Sequence, residues 1–180
     1  MNIWQFRKIT VAGLLVSSLA AVAPSEVSVA ATFSTPVMLI NVQTNKCLTI
    51  AGGVSTANNV EALQFTCDTH PSRRWRMIDA GGAFQIRNLQ TGKCLTIAGG
   101  VSTANNVHAL QFTCDSHPSR RWTLVKMGSF FQIKNVQTGK CLTIAGGVST
   151  ANNVVALQFN CDSHPSRRWQ VRPSVLFDDG

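Results

Sequence analysis

The 180-residue sequence contains no tyrosine, and its aromatic residues amount to only 7% of the chain. No ring interleaves with its arginine pairs, so a platform for stacking exposed bases is missing and nucleic acid is a disfavoured partner. Acidic groups are scarce, with eight Asp and Glu against sixteen Lys and Arg, for a formal net charge of +8. No apolar period of 3.6 residues is sustained over three turns, which weighs against a helical bundle. The one long apolar run, Ile9–Ala23, falls short of the roughly 20 residues a membrane-spanning helix needs. No other stretch is longer. No membrane span is expected.

That run follows Arg7 and Lys8, and precedes the small pair Ala30 and Ala31 with Ser28 or Val29 at the −3 position. A basic start, a short apolar segment and small residues at the cut define a secretory signal peptide. Residues 1–31 are therefore read as a signal peptide cleaved near Ala30 or Ala31, with no Cys to carry a lipid, and 32–180 as the folded domain. Removing Arg7, Lys8 and Glu26 leaves 14 basic and 7 acidic residues, a net charge of +7. That balance suits acidic glycans or other anionic polymers.

Export frames the six cysteines, at 47, 67, 94, 114, 141 and 161. Six cysteines allow 15 pairings, and in an oxidising compartment they are read as disulfides. The separations 94−47, 141−94, 114−67 and 161−114 all equal 47. The cysteines thus fall into three equivalent pairs, Cys47–Cys67, Cys94–Cys114 and Cys141–Cys161, each spanning 20 residues. In the chain-entropy model each such loop stabilises by about 3 kcal/mol.

Trp75, Trp122 and Trp169 keep the same 47-residue period, as do Gly52–Gly53, Gly99–Gly100 and Gly146–Gly147. The cores Asn41–Trp75, Asn88–Trp122 and Asn135–Trp169 are nearly identical; the second and third differ only at Leu89/Val136, His108/Val155 and Thr113/Asn160. Such self-similarity means one supersecondary unit, repeated until its apolar face is covered. The repeats run over about 37–83, 84–130 and 131–172.

Within a unit, Phe84–Arg87 alternates apolar and polar with a period of two. Cys94–Ile97, Val107–Thr113 and Trp122–Val125 have similar character, separated by the turn Gln90–Lys93 and the loop Ala98–Asn106. Four short strands per unit suit either a propeller or a β-trefoil, and a propeller needs at least about four blades. Three units predict an all-β fold, a β-trefoil with one disulfide per repeat. Phe65, Phe112, Phe159, Phe84, Phe131 and the repeat tryptophans are the large side chains available for its core.

The unit Gly-Lys-Cys-Leu-Thr-Ile, Leu-Gln-Phe-x-Cys and Ser-Arg-Arg-Trp resembles the repeat of ricin B-type lectins. That family pairs a Lys-Cys-Leu-Asp-Val start with a second cysteine and a closing Gln-x-Trp. The resemblance runs from about Pro36 to Arg172. It implies a β-trefoil with one potential sugar pocket per repeat, for galactose, lactose, xylan or related glycans. The departures fall on the pocket. Thr49, Thr96 and Thr143 stand where the family has its aspartate, and a hydroxyl cannot match a carboxylate as a double acceptor. Gln64, Gln111 and Gln158 correspond to the family glutamine with a one-residue shift; a rigid alignment puts Leu63, Leu110 and Leu157 there. Ser72, Ser119 and Ser166 replace its asparagine, and Arg73, Arg120 and Arg167 the Gln of Gln-x-Trp.

The thrice-written CDTHPSRRW or CDSHPSRRW holds the residue types of a hydrolase triad. A triad brings nucleophile, base and acid together from separate segments; here all three lie within five residues around Pro71, in triplicate, which reads as a turn. Zinc on Cys47, Cys67 and His70 is set aside because oxidation removes the thiolates. Alternation places Arg73 on the same side as Trp75, inward, with Arg74 outward; a buried arginine must be paired, and Asp68 in the same loop is the expected partner, stapling the turn.

The expected function is a secreted lectin without enzymatic activity, cofactor or metal, whose partners are glycans or polysaccharides. Its candidate sugar-binding residues are Thr49, Asn58, Asn59, Gln64, Asp68 and Arg74 in the first unit. The second unit repeats them as Thr96, Asn105, Asn106, Gln111, Asp115 and Arg121. The third has Thr143, Asn152, Asn153, Gln158, Asp162 and Arg168. The competing class is a secreted β-trefoil interaction or inhibitor protein that has lost the sugar pocket; an enzyme ranks third.

Overall fold

The computed structural model describes residues 33–174; the expected signal peptide lies outside the described residues. Twelve strands follow one another, four per repeat. They are β1 (Val37–Asn41), β2 (Cys47–Ile50), β3 (Ala62–Phe65), β4 (Trp75–Asp79), β5 (Phe84–Asn88), β6 (Cys94–Ile97), β7 (Ala109–Phe112), β8 (Trp122–Met127), β9 (Phe130–Asn135), β10 (Cys141–Ile144), β11 (Val154–Phe159) and β12 (Trp169–Pro173). Among the described residues no helix is long and apolar enough to cross a membrane.

Six strands close into a barrel. Long ladders join β1 to β12, β4 to β5 and β8 to β9. Single registers link those pairs, Val37 opposite Trp75, Phe84 opposite Trp122 and Phe131 opposite Trp169. Each repeat tryptophan therefore starts a strand at a junction between ladders. All three are fully buried, and their Nε1 groups donate to the carbonyls of Leu48, Leu95 and Leu142, each at 3.0 Å. The buried indole thus meets the polar partner it requires. Leu39, Leu48, Ile50, Ile86, Leu95, Ile97, Ile133, Leu142 and Ile144 fill the space between them.

The hairpins β2–β3, β6–β7 and β10–β11 cap one end of the barrel. They touch one another around the pseudo-threefold axis through Val154 opposite Gln64, Glu61 opposite Leu110 and His108 opposite Leu157. Buried Asn41, Asn88 and Asn135 tie the units together. Their Nδ2 groups donate to the carbonyls of Ser166, Ser72 and Ser119 at 2.8 Å, while each Oδ1 accepts two amides of the following turn.

The three disulfides join Cys47 to Cys67, Cys94 to Cys114 and Cys141 to Cys161, with Cα–Cα distances of 5.0, 5.1 and 5.1 Å. The pairing read from the repeat holds. One expectation needs correction. Phe84 is buried, with Phe33 against it edge-on at 5.7 Å. Phe65, Phe112, Phe159 and Phe131, expected in the core, are only half-buried. Gln64, Gln111 and Gln158 take the buried side of these strands at 0% exposure, and the two-residue period of a strand turns the adjacent phenylalanine outward.

Candidate functional site

The repeated nonapeptide forms a compact turn ending in one turn of 3-10 helix, Pro71–Arg73, with copies at Pro118–Arg120 and Pro165–Arg167. Proline suits the first position because its missing N–H has no partner there. Asp68 Oδ1 accepts the His70 amide at 2.9 Å and lies 3.2 Å from Arg73 Nε. Asp115–Arg120 and Asp162–Arg167 repeat the ion pair at 3.4 Å each. The expected staple is present three times.

His70 caps the turn. Its Nδ1 accepts the Ser72 amide at 3.2 Å, so the proton of the neutral ring sits on Nε2. With Nδ1 an acceptor, Ser72 Oγ donates to it at 2.8 Å. Ser72 Oγ in turn accepts from Arg73 Nη1 at 3.3 Å and faces Thr49 Oγ1 at 3.0 Å. Asp, His and Ser are thus each engaged within the turn. Thr49, 3% exposed, spends its hydroxyl on Ser72. Among the described residues no three metal-ligating side chains converge.

Beside each turn opens a cleft, of about 280 Å³ in the first and second units and about 220 Å³ in the third. The first is lined by Thr49, Gly53, Phe65, His70, Ser72 and Arg73 of its own unit, and by Asn153 of the third. The second takes Asn59 from the first unit, and the third takes Asn106 from the second. Every cleft is shared across a repeat boundary, in cyclic order.

The buried glutamines enforce that sharing. Gln64 Nε2 donates to the carbonyls of Ser149 and Ala151 at 2.7 Å, and its own carbonyl accepts the Asn153 amide at 2.9 Å. Asn152 Oδ1 accepts both the amide and the hydroxyl of Thr66 at 2.9 and 3.1 Å. Gln111 holds the Ser55–Asn59 loop in the same way, and Gln158 the Ser102–Asn106 loop. Asn59, Asn106 and Asn153 adopt φ of +64 to +65°, a left-handed conformation that asparagine tolerates better than most residues.

The sequence candidates therefore separate. Thr49, Thr96 and Thr143 line the clefts, and so do Asn59, Asn106 and Asn153, each in a unit other than its own. The tip beside Thr49 is that of Asn152–Asn153, not of Asn58–Asn59. Asn58 and Asn152 anchor the tips to Thr113 and Thr66, and Gln64, Gln111 and Gln158 lie buried behind the loops. Asp68, Asp115 and Asp162 stand outside the lining, half-exposed, holding their arginines. Arg74, Arg121 and Arg168 line none of the three clefts; Arg168 Nη2 donates to the Ser163 carbonyl at 2.6 Å.

Phe65, His70 and Arg73, with their copies, complete the clefts and were not among the candidates. Arg73 lies over the Phe65 ring at 4.4 Å from its centroid, as do Arg120 over Phe112 and Arg167 over Phe159. The signal for Phe65 was the strand period: an inward Gln64 sends Phe65 outward. For Arg73 no local signal existed, because the 3-10 turn breaks the alternation on which its direction was read.

The third cleft differs. Where Thr113 anchors Asn58 with two hydrogen bonds, the third unit has Asn160, which instead accepts from Lys140 Nζ. Asn105 Oδ1, the counterpart of Asn58 Oδ1, is buried without a hydrogen-bond partner.

A closed six-stranded barrel, three capping hairpins and one cleft per repeat define a β-trefoil. A family model described as ricin-type beta-trefoil lectin domain-like matches residues 30–112, 79–159 and 118–176. The chain belongs to that family. No curated protein matches it. Among solved structures, the designed threefold-symmetric protein ThreeFoil superposes with a TM-score of 0.72 at 19% identity, over 76% of this chain and 97% of that one. The C-half of the earthworm R-type lectin, in complex with GalNAc, gives a TM-score of 0.61 at 14% identity, over 77% of this chain and 98% of that one. An exo-β-1,3-galactanase from Clostridium thermocellum gives 0.73 at 22% identity, over 78% of this chain but 30% of the enzyme. These likenesses are of fold. Fold and family together support carbohydrate binding as the general activity.

Proposed function

We propose that the protein is a secreted, non-enzymatic lectin that takes one sugar residue of a glycan in each of its three clefts. The observation that carries this reading is the threefold-repeated cleft in a lectin-type fold, with a half-exposed phenylalanine beside hydrogen-bonding groups from two repeats. The apolar edge of Phe65 suits the C–H face of a pyranose, and the His70 Nε2–H, the Arg73 guanidinium and the Asn153 side-chain amide suit its oxygens. Since the Thr49 hydroxyl is engaged with Ser72, the cleft is richer in donors than in acceptors. That balance favours sugars bearing carboxylate, sulfate or acetamido oxygens over plain polyols. Three equivalent clefts on one rigid body raise avidity for repeating or clustered glycans beyond any single site. Disulfides in every repeat accord with an exported protein.

One observation favours the competing reading of an interaction protein without a sugar pocket: Arg73 covers part of the Phe65 ring. A broad glycan array on oxidised protein lacking residues 1–31 separates the two. Binding to a defined set of glycans, lost in a Phe65→Ala, Phe112→Ala, Phe159→Ala triple variant, is the expected result. A blank array sinks the lectin reading.

A further inference from the structure

The three barrel faces differ in charge. On the outward face of the β4–β5 ladder, Arg76 stands directly opposite Arg87, and both are exposed. The equivalent positions carry Thr123 opposite Lys134 on β8–β9, and Ile40 opposite Gln170 on β1–β12. At this register the three faces thus present two, one and no cations, and the β1–β12 face carries a single cation further along, Arg172 opposite Met38; only β4–β5 sets two cations directly opposite each other. Like charges directly opposed across an antiparallel pair are destabilising. Among the described residues neither arginine has an ion-pair partner. Three of the five acidic groups there, Asp68, Asp115 and Asp162, pair with Arg73, Arg120 and Arg167, and Glu61 pairs with His108. The fifth, Asp79, lies opposite Phe84 at the strand end, on the other side of the pleat from Arg76.

Arg87 is also held in place. Its Nε donates to the Gly92 carbonyl at 2.9 Å, which lays the side chain across the following turn. Gly92 has φ +69°, and a Cβ there would stand 3.3 Å from Arg87 Nη2, so the turn leaves room for that guanidinium. Neither arginine lines any of the three clefts.

We propose that Arg76 and Arg87 form a separate oxyanion site on the barrel wall, for a sulfate or phosphate group carried by an anionic polymer. Two guanidiniums on neighbouring strands, one of them pre-positioned, offer paired N–H donors to one tetrahedral anion, whose charge relieves their mutual repulsion. The site sits on one barrel face only, so it orients a polyanion relative to the threefold clefts and does not repeat with them.

The test measures binding of the mature protein to heparin and to inorganic polyphosphate across a salt series. The comparison is between wild type, R76Q/R87Q and K126Q/K134Q. The last removes two exposed lysines that do not face each other, since Lys126 stands opposite Phe131 and Lys134 opposite Thr123. Expected is a salt dependence whose log–log slope falls by about two in R76Q/R87Q and changes little in the lysine control. Loss on heparin alone identifies a sulfated polysaccharide as the source, loss on polyphosphate alone a phosphate polymer, and loss on both a general oxyanion site. Equal losses in the two double variants, or no binding of wild type to either polymer at low salt, overturn the proposal. Signals for neutral glycans on the array remain unchanged in R76Q/R87Q. A blank array together with the arginine-specific slope leaves this site standing while the lectin reading falls.

Discussion

The difference at Asn160 offers a quantitative check on how the clefts are assembled. In the second unit, Asn58 Oδ1 accepts the Thr113 amide at 2.9 Å and the Thr113 hydroxyl at 3.1 Å, while Lys93 Nζ donates to the same hydroxyl at 3.0 Å. In the third unit the corresponding acceptor, Asn105 Oδ1, is buried with no hydrogen-bond partner. Substituting Asn160→Thr recreates the arrangement already present twice in the molecule, without sacrificing the lysine contact. A buried acceptor left unsatisfied costs about 1–3 kcal/mol. Because Thr66 and Thr113 are themselves exposed, the lower end applies, a gain of about 1 kcal/mol. For a domain of this size that raises Tm by about 3 °C. The reverse exchange, Thr113→Asn, lowers stability by a similar amount. Calorimetry or circular dichroism with the disulfides intact measures both. A Tm for Asn160→Thr equal to or below that of wild type refutes the idea that Asn105 needs this anchor.

Further expectations follow from the same contacts. Gln111→Ala removes two buried donor bonds to the Ser55 and Ala57 carbonyls and orphans the Thr91 hydroxyl that donates to Oε1 at 2.8 Å; denaturant unfolding is expected to show a loss of about 3 kcal/mol. Hydrogen exchange in that variant should quicken at Asn59, whose amide bonds the Gln111 carbonyl, and unchanged protection there would separate the glutamine from loop placement. Asp115→Asn keeps the acceptor for the His117 amide but loses the charge facing Arg120. With Asp115 half-exposed, the cost is about 0.5 kcal/mol, whereas Asp115→Ala loses the amide bond as well and costs about 1.5 kcal/mol. An unchanged melting temperature in both variants would remove the staple role. Phe112→Ala is expected to leave the fold intact, since its ring is half-buried, and to weaken binding to clustered glycans more than to single sugars. Equal effects on both would count against three cooperating clefts.

Much of the architecture was legible in the sequence, because a strict period carries its own geometry. Cysteines, tryptophans and glycine pairs recurring every 47 residues specify equivalent positions in space, and the simplest arrangement that satisfies them is one disulfide per repeat in a closed three-unit barrel. Asp68–Arg73 was legible too, since partners five residues apart in one turn meet whatever the rest of the chain does. Arg73 itself was read correctly as inward, but from an alternation that the 3-10 turn interrupts. The placement of Phe65 was missed because hydrophobicity alone put it in the core, while a neighbouring buried glutamine claimed that side of the strand.

What only the tertiary structure decided is which repeat serves which cleft. A repeating sequence is silent on this, because Asn58–Asn59, Asn105–Asn106 and Asn152–Asn153 are identical pairs. Closing the barrel brings the hairpins around one axis, and each loop crosses to the neighbouring hairpin, where a buried glutamine takes its carbonyls. The period determined the parts and their number. The cyclic exchange of loop tips, and with it the composition of every cleft, arises from long-range hydrogen bonds that exist only once the chain has closed on itself.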